Sequence, residues 1–278
     1  MRDALRLAFG TLTVLRVRPP SAVDRRVAGW AMALGPMVGA VLGSAGLALA
    51  WVSSQALHPL LVAVLVVALL GWATRLIHWD GLADTADGLG SGRPAEAALE
   101  VMRRSDIGPF GVFTVLAVFA VQVAALAELL TADGLVAGYA PLGSRGLLVS
   151  FDPPAAAGGL GAVVAAPVLG RCALLVACRS GVPAARRDGL GAPVVGSVGA
   201  AQLAAGLVVA AGALLVAAVV GGGLTPVSVL LAAGVSAVWA VAATTYLRRR
   251  LGGMTGDTLG ALVETTTAVA LVVLAGSV

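Results

Sequence analysis

The chain has 278 residues, of which 59% are hydrophobic and only 12% charged, with a net charge of +4. Soluble domains carry about 25% charged residues, so this chain lacks the side chains to clothe a water-facing exterior and reads as a polytopic membrane protein. All eighteen basic residues are Arg, and no basic segment interleaves with aromatics in the way that grips nucleic acid; the positive balance suits a membrane surface or an anionic substrate.

In chain order, residues 1–26 form a leader in which Arg2, Arg6, Arg16, Arg18, Arg25 and Arg26 alternate with Leu5, Leu7, Phe9, Leu12, Val14 and Leu15. This pattern predicts an amphipathic segment lying on an anionic leaflet. Long apolar runs follow at 27–53, 59–77, 109–130, 160–178, 196–220, 226–247 and 259–277, each near the ~20 residues a helix needs to cross hydrocarbon. The expectation is an all-α fold of about seven transmembrane helices, forming a single domain over 1–278. The short piece 135–150 and the turn-rich 152–159 are expected outside the membrane.

Arginines set the orientation. With the N-terminus inside, the inner segments 1–26, 78–108, 179–195 and 248–258 hold nearly all of them, and the outer loops hold only Arg145. The protein is therefore expected in the cell membrane, with its N-terminus and active site cytoplasmic. Glycines 35, 39, 43 and 46 form a small-residue row that would let two helix backbones approach closely. Cys172 and Cys178 are six residues apart in an apolar run; this spacing suits neither an intrahelical disulfide nor a shared metal, and both read as small packing residues.

The chemistry-bearing residues all fall on the inner side. In HWDGLADTADGLG, Asp80, Asp84 and Asp87 stand at i, i+4, i+7 beside His78, which puts three carboxylates on one helix face. Like charges so placed repel unless a cation sits among them. Asp80 and Asp87 are about 10.5 Å apart along a helix axis, too far for one ion to take all three, so a second element must contribute or two ions bind. Asp257 and Glu264, in GGMTGDTLGALVE, share a face at i, i+7 and are the candidates. Glu264 stands inside the last apolar run, where an acid needs a partner or an ion.

An all-oxygen donor set favours Mg²⁺, or Mn²⁺, over zinc. Arg103, Arg104, Ser105 and Asp106, with Arg171 inside a span, supply phosphate-binding candidates. A hard cation among carboxylates with arginines nearby points to phosphoryl transfer.

These stretches resemble the cobalamin synthase family, also called adenosylcobinamide-GDP ribazoletransferase. The resemblance is carried by LRLAFGTLTVLRV at 5–17, HWDGLADTADGLG at 78–90, EVMRRSDIGPFGV at 100–112, GRCALLVACRSGVPAARRDGLG at 170–191 and GGMTGDTLGALVE at 252–264. At 103–106 the sequence departs from the family's usual basic-Asp-Ser-basic order, because acid and base have exchanged places around Ser105.

The resemblance implies a Mg²⁺-dependent membrane enzyme that joins adenosylcobinamide-GDP to α-ribazole or its 5′-phosphate and releases GMP. Its partners would be the corrinoid nucleotide, α-ribazole and membrane lipid, with room for a homo-oligomer or an assembly with other enzymes of the pathway. His78, Asp84 and Asp87 are then the candidates for the catalytic proton acceptor. Two competing readings are a CDP-alcohol phosphatidyltransferase, which also clusters aspartates around a divalent ion, and an ion-coupled transporter. The first lacks its DGxxAR pattern here. The second fits poorly, since the acids gather at one side rather than at mid-bilayer.

Overall fold

A computed structural model describes residues 1–132, 158–189, 191–221 and 224–277. Of the stretches expected outside the membrane, 135–150 and residues 152–157 of 152–159 lie outside the described residues, while Gly158 and Gly159 belong to the start of a helix. The described chain is all-α: α1 (Arg2–Leu12), α2 (Arg25–Ala33), α3 (Gly35–Ser53), α4 (Pro59–Ala73), α5 (Ile77–Gly90), α6 (Ala95–Val101), α7 (Pro109–Ala132), α8 (Gly158–Ala177), α9 (Ala200–Gly221), α10 (Pro226–Leu251) and α11 (Gly256–Ala275). Among the described residues six stretches are long and apolar enough to cross a membrane, α2 and α3 counting together as Arg25–Ser53, and the bent pair α4 and α5 brings the number to seven if it is one span.

That pair differs from the expected straight span at 59–77. The chain bends by 90° between α4 and α5, because Arg75 and Leu76 take left-handed backbone at φ 56° and 57°. Thr74 Oγ1 donates to the Gly71 carbonyl at 2.9 Å, and Leu76 N–H closes the turn on the same oxygen at 2.9 Å. The last carbonyls of α4 are thereby satisfied without continuing the helix.

α8 and α11 form the centre of the bundle, with 89% and 72% of their apolar stretches buried, whereas α9 shows only 17%. The outward faces of α9 and α10 carry exposed Val208, Leu215, Val219, Leu230 and Val238, an apolar surface suited to lipid rather than water. The glycine row of α3 packs on α8: a methyl group at Gly39 would lie 2.5 Å from the Pro167 carbonyl oxygen, and one at Gly43 2.7 Å from Val164 Cα. Only hydrogen fits at these two crossings, which is how small residues bring membrane helices into backbone contact.

The leader forms α1, whose Ala4, Ala8 and Leu12 are buried at i, i+4, i+8 in a cluster with Ala28, Ala31 and Met32. The polar segments gather at one end of the bundle. There Ala185 N–H donates to Met254 O at 2.9 Å and Met254 N–H to Pro183 O at 2.9 Å, stitching the 179–189 segment to the turn before α11. Arg186 donates to the carbonyl of Leu99, which ties that segment to α6 as well.

Candidate active site

The site is built where α5 lies across the start of α11. The two helices touch through glycines: a methyl group at Gly81 would stand 2.6 Å from the Asp257 carbonyl oxygen, and one at Gly260 3.0 Å from His78 Cα. The glycine after Asp80 and the glycine three residues after Asp257 in the two acidic motifs thus let the two backbones interlock. The start of α11 is fixed by a capping box, in which Thr258 N–H donates to Thr255 Oγ1 at 3.2 Å and Thr255 N–H donates to Thr258 Oγ1 at 2.8 Å. This arrangement ties down orphan amides of the first turn.

Two polar centres result. The outer one holds Asp80, exposed, with Asp84 and Asp257, both half-buried. Asp84 is electrostatically coupled to Asp80, Asp257 and Asp87, and to Arg186. Arg186 stands 3.6 Å from Asp257 Oδ2, and Thr255 Oγ1 donates to the same oxygen at 3.3 Å. Burial draws the Arg186 guanidinium below its ordinary value, while Asp257 opposes that shift. Three carboxylates with one half-buried arginine, Arg186, beside Asp257 leave an excess of negative charge, and their oxygens form a donor set matched to a hard divalent cation. Among the described residues no three His, Cys, Asp or Glu side chains already converge on one point; an ion would gather carboxylates that now lie alongside one another.

The inner centre sits two turns deeper. Glu264, about 10.5 Å along α11 from Asp257, is buried. Gln122 of α7 donates to its Oε2 at 2.9 Å and to its backbone carbonyl at 3.2 Å. His78 Nδ1 of α5 stands 3.7 Å from Oε1, and the buried Arg171 of α8 is electrostatically coupled to it. Four helices therefore meet at one carboxylate. A buried charge persists only with such partners.

The remaining sequence-level candidates are placed differently. Asp87 accepts from Gly108 N–H at 2.6 Å and from Gly111 N–H at 2.9 Å, one on each carboxylate oxygen, so it caps the start of α7 from a neighbouring helix. Arg103 Nη2 donates to both oxygens of Asp188 at 2.8 Å. Arg104, Ser105 and Asp106 are exposed in the turn between α6 and α7.

The structure adds Gln122, Arg186 and Asp188 to the residues singled out from sequence. Gln122 had a signal, as an amide in the middle of the apolar run 109–130. The pairings of Arg186 and Asp188 had none, since each joins segments far apart in the chain.

Comparison with known proteins agrees over nearly the whole chain. The family model described as cobalamin-5-phosphate synthase matches residues 4–275. The chain is 41% identical over 272 residues to the adenosylcobinamide-GDP ribazoletransferase of Nocardioides sp. (strain ATCC BAA-499 / JS614), covering 98% of this chain and 97% of that one. It is 40% identical over 287 residues to the protein of that name from Frankia casuarinae, covering 97% and 93%. The protein of that name from Syntrophobacter fumaroxidans is 34% identical over 259 residues, covering 93% and 91%. No solved structure matches the chain.

Proposed function

The chain belongs to the cobalamin-5-phosphate synthase family, and from that premise we propose that the polar end of the bundle, where α5 crosses α11, is its active centre. The protein is an adenosylcobinamide-GDP ribazoletransferase of cobalamin synthesis. Neither a CDP-alcohol phosphatidyltransferase nor a transporter finds support, since the family match spans the residues on which those readings rested.

In this reaction a ribose hydroxyl of α-ribazole, or of its 5′-phosphate, attacks the phosphorus nearer the cobinamide. A new P–O bond forms, the P–O bond to GMP breaks, and the hydroxyl proton is given up. Asp80, Asp84 and Asp257 are the residues that would hold Mg²⁺ or Mn²⁺. The ion would supply charge neutralisation at the phosphoryl oxygens and the leaving group.

The chain's own groups do the rest. Asp80 and Asp84 are the carboxylates open to a substrate hydroxyl and able to take its proton. His78 is buried against Glu264, so its part is to seat the start of α5. Arg186, Arg104 and Arg103 present guanidinium groups at the same end and suit the diphosphate. Arg171, enclosed beside Glu264, acts on the site through the helices it holds together. The arginine-rich segments at this end support a cytoplasmic placement of the site, in a multi-pass protein of the cell membrane with its N-terminus inside.

The observation that carries the reading is the contact of Gly81 with Asp257, which brings the two acidic motifs into one cluster. The test is GMP release by purified protein, given adenosylcobinamide-GDP and α-ribazole 5′-phosphate with Mg²⁺ or with EDTA. GMP release that needs both substrates and stops in EDTA is expected. Release unaffected by EDTA would remove the metal from the proposal, and no release from well-folded protein across several lipid compositions would count against the transferase itself.

A further inference from the structure

Away from the polar end, α8, α9 and α10 enclose a cavity of about 510 Å³. Its walls include Cys172 and Val176 of α8, Leu207 and Leu214 of α9, and Ala233 and Ala237 of α10. Along α10 it runs from Pro226 to Ala240, about 21 Å at 1.5 Å per residue. It is long, narrow and apolar, and it opens on the lipid-facing side of the bundle beside exposed Leu207, Leu215 and Leu230.

Size selects the occupant. A second transmembrane helix of ~10 Å diameter and that length would fill about 1,600 Å³, more than the roughly 1,300 Å³ of empty space between these helices. An extended acyl chain fits. Small residues on α10 make the room: Ala233, Ser236, Ala237 and Ala240 line the cavity where larger side chains would close it.

Charge selects the headgroup. Arg248 follows Ala237 by eleven residues, close to three helical turns, so it continues the α10 face that lines the cavity. Its Nε is buried with no hydrogen-bond partner. Arg249 beside it is exposed, and so is Arg179, two residues beyond the end of α8. Two of the helices that wall the cavity therefore end in arginine on the same side of the membrane. A buried guanidinium nitrogen without a partner calls for an anion.

We propose that this cavity is a binding site for an anionic phospholipid from the surrounding bilayer, with one acyl chain between α8, α9 and α10 and the phosphate at Arg248. The bound chain would complete the packing between α9 and α10, on the side of the bundle away from the α5–α11 crossing.

The test is lipid analysis of the full chain. Protein purified in mild detergent and exchanged extensively is extracted, and phosphatidylglycerol and phosphatidylethanolamine are quantified per mole of protein by mass spectrometry. About one retained phospholipid per chain is expected, enriched in phosphatidylglycerol over the membrane it came from. Ala237→Trp, which fills the cavity, should remove the retained lipid while the protein still elutes as a single species. Arg248→Gln should keep a lipid but lower the phosphatidylglycerol enrichment about fivefold, the effect of ~1 kcal/mol for one arginine at an anionic surface. Equal retention in wild type and Ala237→Trp would overturn the site, and unchanged enrichment in Arg248→Gln would overturn the headgroup assignment. Efficient cross-linking of two copies through a cysteine introduced at position 237 would overturn it in favour of a second copy of the chain.

Discussion

The electrostatic coupling of Arg171 to Glu264 makes a sharp prediction, because the two readings of Arg171 differ in what its loss should do. From sequence it is a phosphate-binding candidate. In the structure it is buried beside a buried carboxylate, and that carboxylate also holds Gln122 at 2.9 Å. Removing one of two buried opposite charges leaves the other uncompensated, at a cost of about 3–5 kcal/mol.

Arg171→Met keeps the apolar stem and deletes the charge. Glu264→Gln keeps the shape and still offers Gln122 a carbonyl oxygen. Each single variant should therefore lower the unfolding temperature, by roughly 6–20 °C at ~2–4 °C per kcal/mol for a chain of this size. The double variant removes both charges and should recover most of that loss, giving a coupling energy of about 2 kcal/mol or more.

Thermal unfolding in detergent, followed by loss of monodisperse protein, gives the stability cycle, and GMP release at varied corrinoid concentration gives the kinetic one. The structural account expects a lower unfolding temperature in each single variant and little change in KM for the corrinoid nucleotide. Arg171→Met protein of unchanged stability with a greatly raised KM would refute it and return Arg171 to the substrate.

Asp84→Asn should abolish GMP release while the protein inserts and elutes normally; near-normal turnover would remove Asp84 from the centre. Asp87→Ala deletes the acceptor for two amides at the start of α7 and should cost about 1–2 kcal/mol of stability, read as a fall in unfolding temperature. Lost turnover at unchanged stability would instead place Asp87 with the metal ligands expected from its spacing. Gly39→Val puts a branched side chain where even a methyl group lies 2.5 Å from the Pro167 carbonyl. Overpacking of this kind costs ~1–3 kcal/mol or more, and it should sharply reduce the yield of folded protein measured by size-exclusion after detergent extraction.

The spans were legible because lipid imposes length and apolarity on each helix separately, and those are local properties of sequence. The bend after Ala73 was not. The run 59–77 is apolar except for Thr74 and Arg75 near its end, and nothing in its composition marks Arg75 and Leu76 as left-handed. The acidic motifs announced themselves through spacing and glycine content. How their carboxylates divide the work did not, because Asp80, Asp84 and Asp87 share one face of α5, and only the arrival of α7 engages Asp87 with the amides of Gly108 and Gly111. Glu264 stood out by its depth in an apolar run. Its partners did not, since Gln122 is 142 residues away and is chosen by the packing of α7 on α11.

The bend also gives the leader a second physical task. Left-handed backbone at two successive non-glycine residues costs about 1–2 kcal/mol each, so something must hold it. The turn's own bonds to the Gly71 carbonyl are part of the answer. The rest comes from the chain's first helix: Arg75 Nη2 donates to the Gly10 carbonyl at 2.8 Å and to that of Thr11 at 3.3 Å, and Val14 N–H donates to Ala73 O at 2.7 Å. These are orphan carbonyls at the ends of α1 and α4, so each helix end supplies what the other lacks. Without the bend, α4 would continue straight and carry His78, Asp80 and Asp84 past α11. With it, α5 lies across the start of α11 and sets Asp84 against Asp257. The leader is thus joined, through Arg75 and Ala73, to the geometry of the acidic cluster, although none of its residues belongs to that cluster.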